Sequence, residues 1–252
     1  MSKLYSYNYP NTVVELEDCI ILDSYNTAYW CAAREKAGYN VNTIIEILNN
    51  EQGYFDFTKR FIDIGARYGE FTCHLGKYFS HVFAFEANKK SSALIHVNCL
   101  LKDITDKVDI FNVYLSDKNK HVQYNGWANV EDNNIDTQRL TNDVITYFDG
   151  GHLDNTILDV YAHTLDEYNF DNIGFIKIDT EGSELEIIKG GAGTIIRNNC
   201  PPILFELLNE EFFITKELRE KYKNDLFSLL YSLGYSKITQ YGEDLQNYLA
   251  LK

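Results

Sequence analysis

The segment Phe61-Ile62-Asp63-Ile64-Gly65-Ala66-Arg67-Tyr68-Gly69-Glu70 places an acid and two glycines as D-x-G-x-x-x-G directly on an apolar run. A glycine just past a buried strand lets the chain turn tightly and lets its backbone approach a ligand. The free N–H groups of a following helix favour negative charge. Such a loop suits a carboxylate or a phosphate. It is not the G-x-G-x-x-G dinucleotide turn, because position 67 is Arg, and no G-x-x-x-x-G-K-[ST] phosphate loop occurs. Glu86 ends the next apolar run, 23 positions after Asp63, where a carboxylate can accept hydrogen bonds from both hydroxyls of a ribose. Ser116 and Asp117 close the third run. They can meet an adenine amino group or simply make a turn.

These groups need elements to carry them. From Arg60 onward short apolar runs alternate with amphipathic stretches, the pattern of a parallel sheet covered by helices on both faces. The predicted strands are Phe61 to Ile64, Val82 to Phe85, Val108 to Leu115, Ile173 to Ile178, Ile203 to Leu207, Lys237 to Gln240 and Tyr248 to Leu251. The predicted helices are Glu70 to Tyr78, Lys89 to Leu101, Ser183 to Lys189, and Lys216 to Leu233 closed by Gly234. Only a short connection joins the last two strands, so they form an antiparallel hairpin on an otherwise parallel sheet. Parallel strands end on one edge, where ligands of open α/β sheets bind. Asp63, Glu86, Asp179 and Glu206 are therefore expected on one rim.

The reading divides the chain into a cap at 1–59, with helix-like stretches at Thr27 to Lys36 and Val41 to Asn49, and a catalytic domain at 60–252. That domain carries an insertion at about 119–170. Of the net charge of −14, residues 131–180 supply −9, from 11 acids and 2 bases. A polyanionic duplex binds through lysines and arginines, so nucleic acid is not an expected partner. The start lacks the apolar core of a signal peptide and no run spans a bilayer. Five scattered cysteines without a C-x-x-C pair read as reduced thiols. A cytoplasmic protein without a membrane span is the expectation, with a homodimer as the candidate assembly.

The most specific segment is Phe175-Ile176-Lys177-Ile178-Asp179-Thr180-Glu181-Gly182-Ser183-Glu184-Leu185-Glu186, followed by Ile187-Ile188-Lys189-Gly190-Gly191. With the glycine loop and Pro201-Pro202-Ile203-Leu204-Phe205-Glu206, it resembles the FkbM family of S-adenosylmethionine-dependent methyltransferases from about Phe61 to Leu233. The family's hallmark is approximately K-I-D-x-E-G-x-E-x-x-x-L-x-G, and Ile188 stands where Leu is usual. Arg67 departs from the family's common Asn.

The resemblance implies a class I methyltransferase fold, Rossmann-like, with a seven-stranded, mostly parallel sheet. It also implies S-adenosylmethionine as cofactor. Asp63, Gly65 and Gly69 would line the methionine end, Glu86 the ribose, and Ser116 and Asp117 the adenine. The acceptor implied is a sugar hydroxyl, nucleotide-linked or in a surface glycan, with another small secondary metabolite as the alternative; a nucleotide sugar would need local cations, for which Lys177, Lys189 and Arg67 are candidates.

Transfer to oxygen needs alignment and removal of a proton from a poorly acidic alcohol. Asp179, with Glu181 nearby, is the leading candidate, as base or as a Mg²⁺ ligand shared with Glu206. Against this, Ser183-x-x-Glu186 reads as a capping box, and acids gather at any helix start. His163 is the alternative base, and Trp30 and Trp127 can stack on a sugar or pack in a core. A nicotinamide dehydrogenase would need the missing glycine turn. A non-catalytic cofactor-binding module would need no Asp179.

Overall fold

The protein was analysed as a computed structural model that describes residues 3–6, 11–15, 20–24, 46–125, 157–180, 182–210, 213, 215–241 and 246–252. Three strands near the start, β1 (Lys3–Ser6), β2 (Asn11–Glu15) and β3 (Ile20–Ser24), form an antiparallel sheet in that order. Residues 46–50 are helical (α1), overlapping the stretch expected at Val41 to Asn49. The stretch Thr27 to Lys36 lies outside the described residues.

The main sheet is built from β4 (Arg60–Ile64), β5 (His81–Phe85), β6 (Val108–Phe111), β10 (Ile173–Ile178), β11 (Ile203–Glu206), β12 (Lys237–Tyr241) and β13 (Asn247–Leu251). Its order is β12-β13-β11-β10-β4-β5-β6. β13 runs antiparallel to both β11 and β12, and the other adjacent pairs are parallel. All six residues of β10 are buried, which is why a central strand covered on both faces reads as a continuous apolar run.

Alternate residues of the strands feed two cores. Ile62, Ile64, Ile176 and Ile178 pack on one face with Leu226 and Leu230 of the long helix α6 (Lys216–Leu233). Phe61 and Phe175 pack on the other with Cys73 and Leu75 of α2 (Glu70–Gly76) and with Ile95 of α3 (Lys89–Leu101). The period of two puts Asp63 and Lys177 on that second face. Strand order reverses between β4 and β10, so their C-terminal ends form the crevice of the sheet.

Strands β1 to β3 are not among the expected elements. Three differences within the catalytic domain have physical causes. The run Val108 to Leu115 splits, because Asn112 leaves the ladder and its side-chain amide donates to the carbonyls of Glu86 and Ala87, at 2.9 and 3.0 Å. Its second part, β7 (Tyr114–Leu115), joins β8 (Lys120–Asn125) and β9 (Ile157–His163) in a separate sheet ordered β7-β9-β8. After α4 (Glu184–Gly190) comes an unexpected helix, α5 (Ala192–Arg197). Its first N–H groups, on Gly193 and Thr194, donate to the carboxylate of Asp166 at 3.0 and 2.6 Å. This cap comes from 27 residues away, and local sequence cannot announce it.

The expected capping box at Ser183 also does not form: its hydroxyl meets Tyr114 Oη at 2.9 Å and caps no helical N–H. By contrast α6 starts as its sequence suggests, with Thr215 Oγ1 accepting from Leu218 N–H at 3.2 Å. It ends at Gly234, left-handed with φ +109°.

Candidate active site

The glycine loop is stitched to both neighbouring strands. The N–H groups of Gly65 and Ala66 donate to the carbonyl of Phe85 at 2.9 and 3.0 Å, and Asp179 N–H donates to the carbonyl of Ile64 at 3.0 Å. Gly65 has φ +72°, and a Cβ built there would lie 1.8 Å from the carbonyl oxygen of Asp179. No other residue fits where the ends of β4 and β10 meet. Arg67 adopts the left-handed region too, with φ +53°. That conformation suits Asn better than Arg, and Arg67 supplies its backbone N–H to the site while its guanidinium lies over the Tyr68 ring at 5.0 Å.

Glu86 stands at the tip of β5. Its Oε2 accepts the N–H of Arg67 at 2.8 Å and its Oε1 that of Asn88 at 2.7 Å. Burial pushes its carboxyl up to about 7, against the pull of those two N–H groups and of the nearby Lys177 and Arg67 charges. Both oxygens keep lone pairs for further donors.

Asp63 is fully buried. Its Oδ2 accepts the Thr72 hydroxyl at 2.6 Å, and its Oδ1 lies 3.4 Å from the ammonium of Lys177. With no exposed surface, it shapes the loop from beneath. Lys177 is 3% exposed. Its ammonium donates to the Gly65 carbonyl at 2.8 Å, lies 3.6 Å from Asp179 Oδ2 and sits over the Phe71 ring at 4.9 Å. Burial alone would depress this amine, but Asp179, Asp63 and Glu206 together hold it above the ordinary lysine range. Lys177 is thus no surface cation for a nucleotide-sugar phosphate, as the sequence suggested. Lys189 is exposed on α4.

The rest of the hallmark loop hangs on Glu184, which is buried. Its Oε1 accepts Thr180 N–H, Thr180 Oγ1–H and Gly182 N–H at 2.9, 3.0 and 3.3 Å, and its Oε2 accepts Tyr222 Oη–H at 3.0 Å. Burial raises its carboxyl. Glu184 is the second Glu of the hallmark, but nothing local gave it a task or pointed to Tyr222, since their contact spans 38 residues. Glu181 lies outside the described residues, as do Trp30 and Trp127.

Ser116 and Asp117 follow β7. Asp117 Oδ1 accepts from Ser116 Oγ at 3.1 Å and from Lys120 Nζ at 2.6 Å. Partial burial draws this carboxyl up, yet Lys120 and Ser116 prevail and hold it below the ordinary range. His163, by contrast, belongs to the second sheet. Its Nδ1 meets Glu167 Oε2 at 2.9 Å and its ring packs edge-on against Tyr161. The structure joins Asp63, Gly65, Lys177 and Asp179 in one cluster, and His163 stands in another.

The residues do not fit a shared Mg²⁺ at Asp179 and Glu206. Mg²⁺ takes oxygen ligands in a tight octahedron, whereas a buried ammonium already bears on both acids. Among the described residues no group of three or more His, Cys, Asp or Glu side chains gathers as a metal site. The residues do fit S-adenosylmethionine: a glycine with no room for a Cβ, an acid at the tip of β5 anchored by backbone N–H groups, and a second acid at Asp117. None of these needs a phosphate.

A family model described as the methyltransferase FkbM domain matches residues 63–237. Among solved structures the chain is similar to the methyltransferase FkbM from Methylobacillus flagellatus KT, at 15% identity and a TM-score of 0.52. The match covers 79% of this chain and 44% of that one, so the chain spans less than half of that protein's length. It is also similar to a putative rRNA-methylase from Clostridium thermocellum, at 9% identity, 82% and 93% coverage and a TM-score of 0.49. An O-methyltransferase from Bacillus cereus in complex with SAH matches at 12% identity, 77% and 74% coverage and a TM-score of 0.43. No curated protein matches. At 15% identity the likeness to the Methylobacillus structure speaks for the fold alone, the class I methyltransferase sheet with its antiparallel C-terminal strand.

Proposed function

Because the chain belongs to the FkbM methyltransferase family, we propose that it is an S-adenosylmethionine-dependent O-methyltransferase acting on a sugar hydroxyl, nucleotide-linked or in a polysaccharide precursor. The observation that carries this reading is the convergence at the β4–β10 crevice. Gly65, whose Cβ would strike Asp179, lies between the anchored carboxylate of Glu86 and the half-exposed carboxylate of Asp179. A ligand seated on the loop has a diol acceptor on one side and a proton acceptor on the other.

The cofactor supplies an electrophilic methyl group on a sulfonium. The chain's residues do the remaining work. Glu86 accepts the ribose hydroxyls, Asp117 with Ser116 faces the adenine, and the Gly65 to Gly69 backbone carries the methionine end. Asp179 takes the proton of the acceptor hydroxyl as that oxygen bonds to the methyl carbon and the carbon–sulfur bond breaks. Its cluster holds two carboxylates against one ammonium, so the arriving proton moves it toward balance instead of adding charge to a buried place. Positioning supplies much of the remaining rate.

The cytoplasm fits a nucleotide-sugar acceptor, and the described cysteines Cys73, Cys99 and Cys200 form no disulfide. No helix among the described residues is long and apolar enough to cross a membrane. We place the boundary between the N-terminal cap and the catalytic domain near residue 60. Incubation with labelled S-adenosylmethionine and a panel of UDP- and GDP-linked hexoses tests the function. A new methyl ether on a sugar is the expected result. Methyl transfer to a non-sugar metabolite alone would move the substrate class, and binding of S-adenosylhomocysteine without any transfer would favour a non-catalytic module.

A further inference from the structure

We propose that Lys177 is the resident cation of the acceptor site, a positioning residue that fixes the carboxylate of Asp179 and stands where the sequence suggested a divalent metal. This rests on the reading of Asp179 as the proton acceptor.

The geometry has three parts. First, Lys177 and Asp63 are register partners on adjacent parallel strands, so the ammonium is delivered to the strand ends by backbone pairing and not by a mobile loop. Second, its surroundings leave it little freedom. The Gly65 carbonyl accepts at 2.8 Å, Asp63 Oδ1 lies at 3.4 Å and the Phe71 ring face at 4.9 Å, in a pocket where Lys177 is 3% exposed. Thr72 holds the second oxygen of Asp63, so the counter-charge is fixed as well. Third, Asp179 is bound on one side only. Its Oδ2 lies 3.6 Å from the ammonium while 38% of its side chain stays open to solvent. A carboxylate anchored at one end by a rigid buried charge and open at the other is arranged to receive a hydroxyl in one orientation. A divalent ion would have to enter against that ammonium.

The test uses the full chain, labelled S-adenosylmethionine and the UDP- or GDP-hexose that accepts methyl. Wild-type turnover is expected to survive EDTA; loss of turnover that Mg²⁺ restores would overturn the proposal. In Lys177→Ala, kcat is expected to fall about 100-fold, with far smaller changes in acceptor KM and in S-adenosylhomocysteine affinity. Propylammonium should recover part of that loss, whereas uncharged 1-propanol, of the same size, should not. Equal recovery by both would reduce Lys177 to a filler of space and overturn the proposal.

Removing the ammonium leaves Asp63 buried and uncompensated, so the double variant Asp63→Asn/Lys177→Ala is measured beside it, with circular dichroism to confirm the fold. The same loss and rescue are expected there. An inactive Asp179→Asn beside a fully active Lys177 variant would overturn this inference alone. A fully active Asp179→Asn would remove the proton-acceptor reading and the inference with it.

Discussion

Two acids at the C-terminal edge of the sheet, Asp63 on β4 and Glu86 on β5, come one strand apart and are held in opposite ways. Asp63 is sealed from solvent and partnered by a buried ammonium and a hydroxyl. Glu86 keeps partial exposure and is held mainly by two backbone N–H groups, with burial pushing it up to about 7. The first is partnered wholly by the chain's own groups, with Oδ1 meeting the ammonium as an ion pair and accepting no hydrogen bond. The second leaves a carboxylate with acceptor capacity that a diol can use. A buried ion pair maintains geometry, whereas an acid within reach of solvent can take up a further donor on binding.

The most severe way to break this arrangement is at the loop beneath both acids. Gly65→Ala forces a Cβ onto the Asp179 carbonyl at a positive φ, and should lower unfolding free energy by about 3 kcal/mol or more and abolish cofactor binding. Urea denaturation and calorimetry would measure the two effects. Next is the sealed side alone. Lys177→Met strands the charge of Asp63 and should destabilise by about 3 to 5 kcal/mol, while Asp63→Asn added to it should recover much of that loss in the same denaturation assay.

On the open side, Glu86→Ala should leave stability nearly unchanged and weaken S-adenosylhomocysteine binding by roughly 10- to 100-fold, the loss of hydrogen bonds to a charged group. Unchanged affinity in calorimetry would remove Glu86 from the ribose.

The smallest effect is the pH dependence of that affinity. Ribose hydroxyls donate to the ionised carboxylate, and the folded Glu86 titrates near 7. Affinity should therefore weaken as pH falls below about 7, by at most about tenfold per unit, and this dependence should vanish in Glu86→Gln. The sign for stability is the reverse of a salt-bridged acid. Because the folded value is raised above the ordinary 4.5, this group's contribution to stability is largest at low pH. It declines as pH rises from about 4.5 to about 7. Binding and folding thus respond to pH in opposite directions at this one residue, and Asp63 shows no such exposed acceptor.

Much of this was legible in the chain itself. The buried strands announced themselves as apolar runs because a sheet covered on both faces needs apolar residues at every position. The glycine loop, Glu86, Asp179 and the final hairpin followed from where those runs stop. The readings that changed depended on distant partners. Ser183 lost its capping role to Tyr114, 69 residues away, and α5 gained its cap from Asp166. Asn112 split a strand by bonding to the β5 end, and His163 came to lie beside Tyr161 on a second sheet, its ring meeting Glu167 of the turn that follows.

Lys177 shows most clearly what local sequence leaves open. As one of the 2 bases among residues 131–180 it read as a local cation for a nucleotide-sugar acceptor, a charge open to solvent. By itself the sequence determined the seven runs of the main sheet, most of its helices and the types of acid at the strand ends, because propensity and periodicity act within a few residues. Tertiary structure alone decided which acids are sealed and which are open, because burial and charge pairing depend on neighbours brought together across 112 residues, the separation between Gly65 and Lys177.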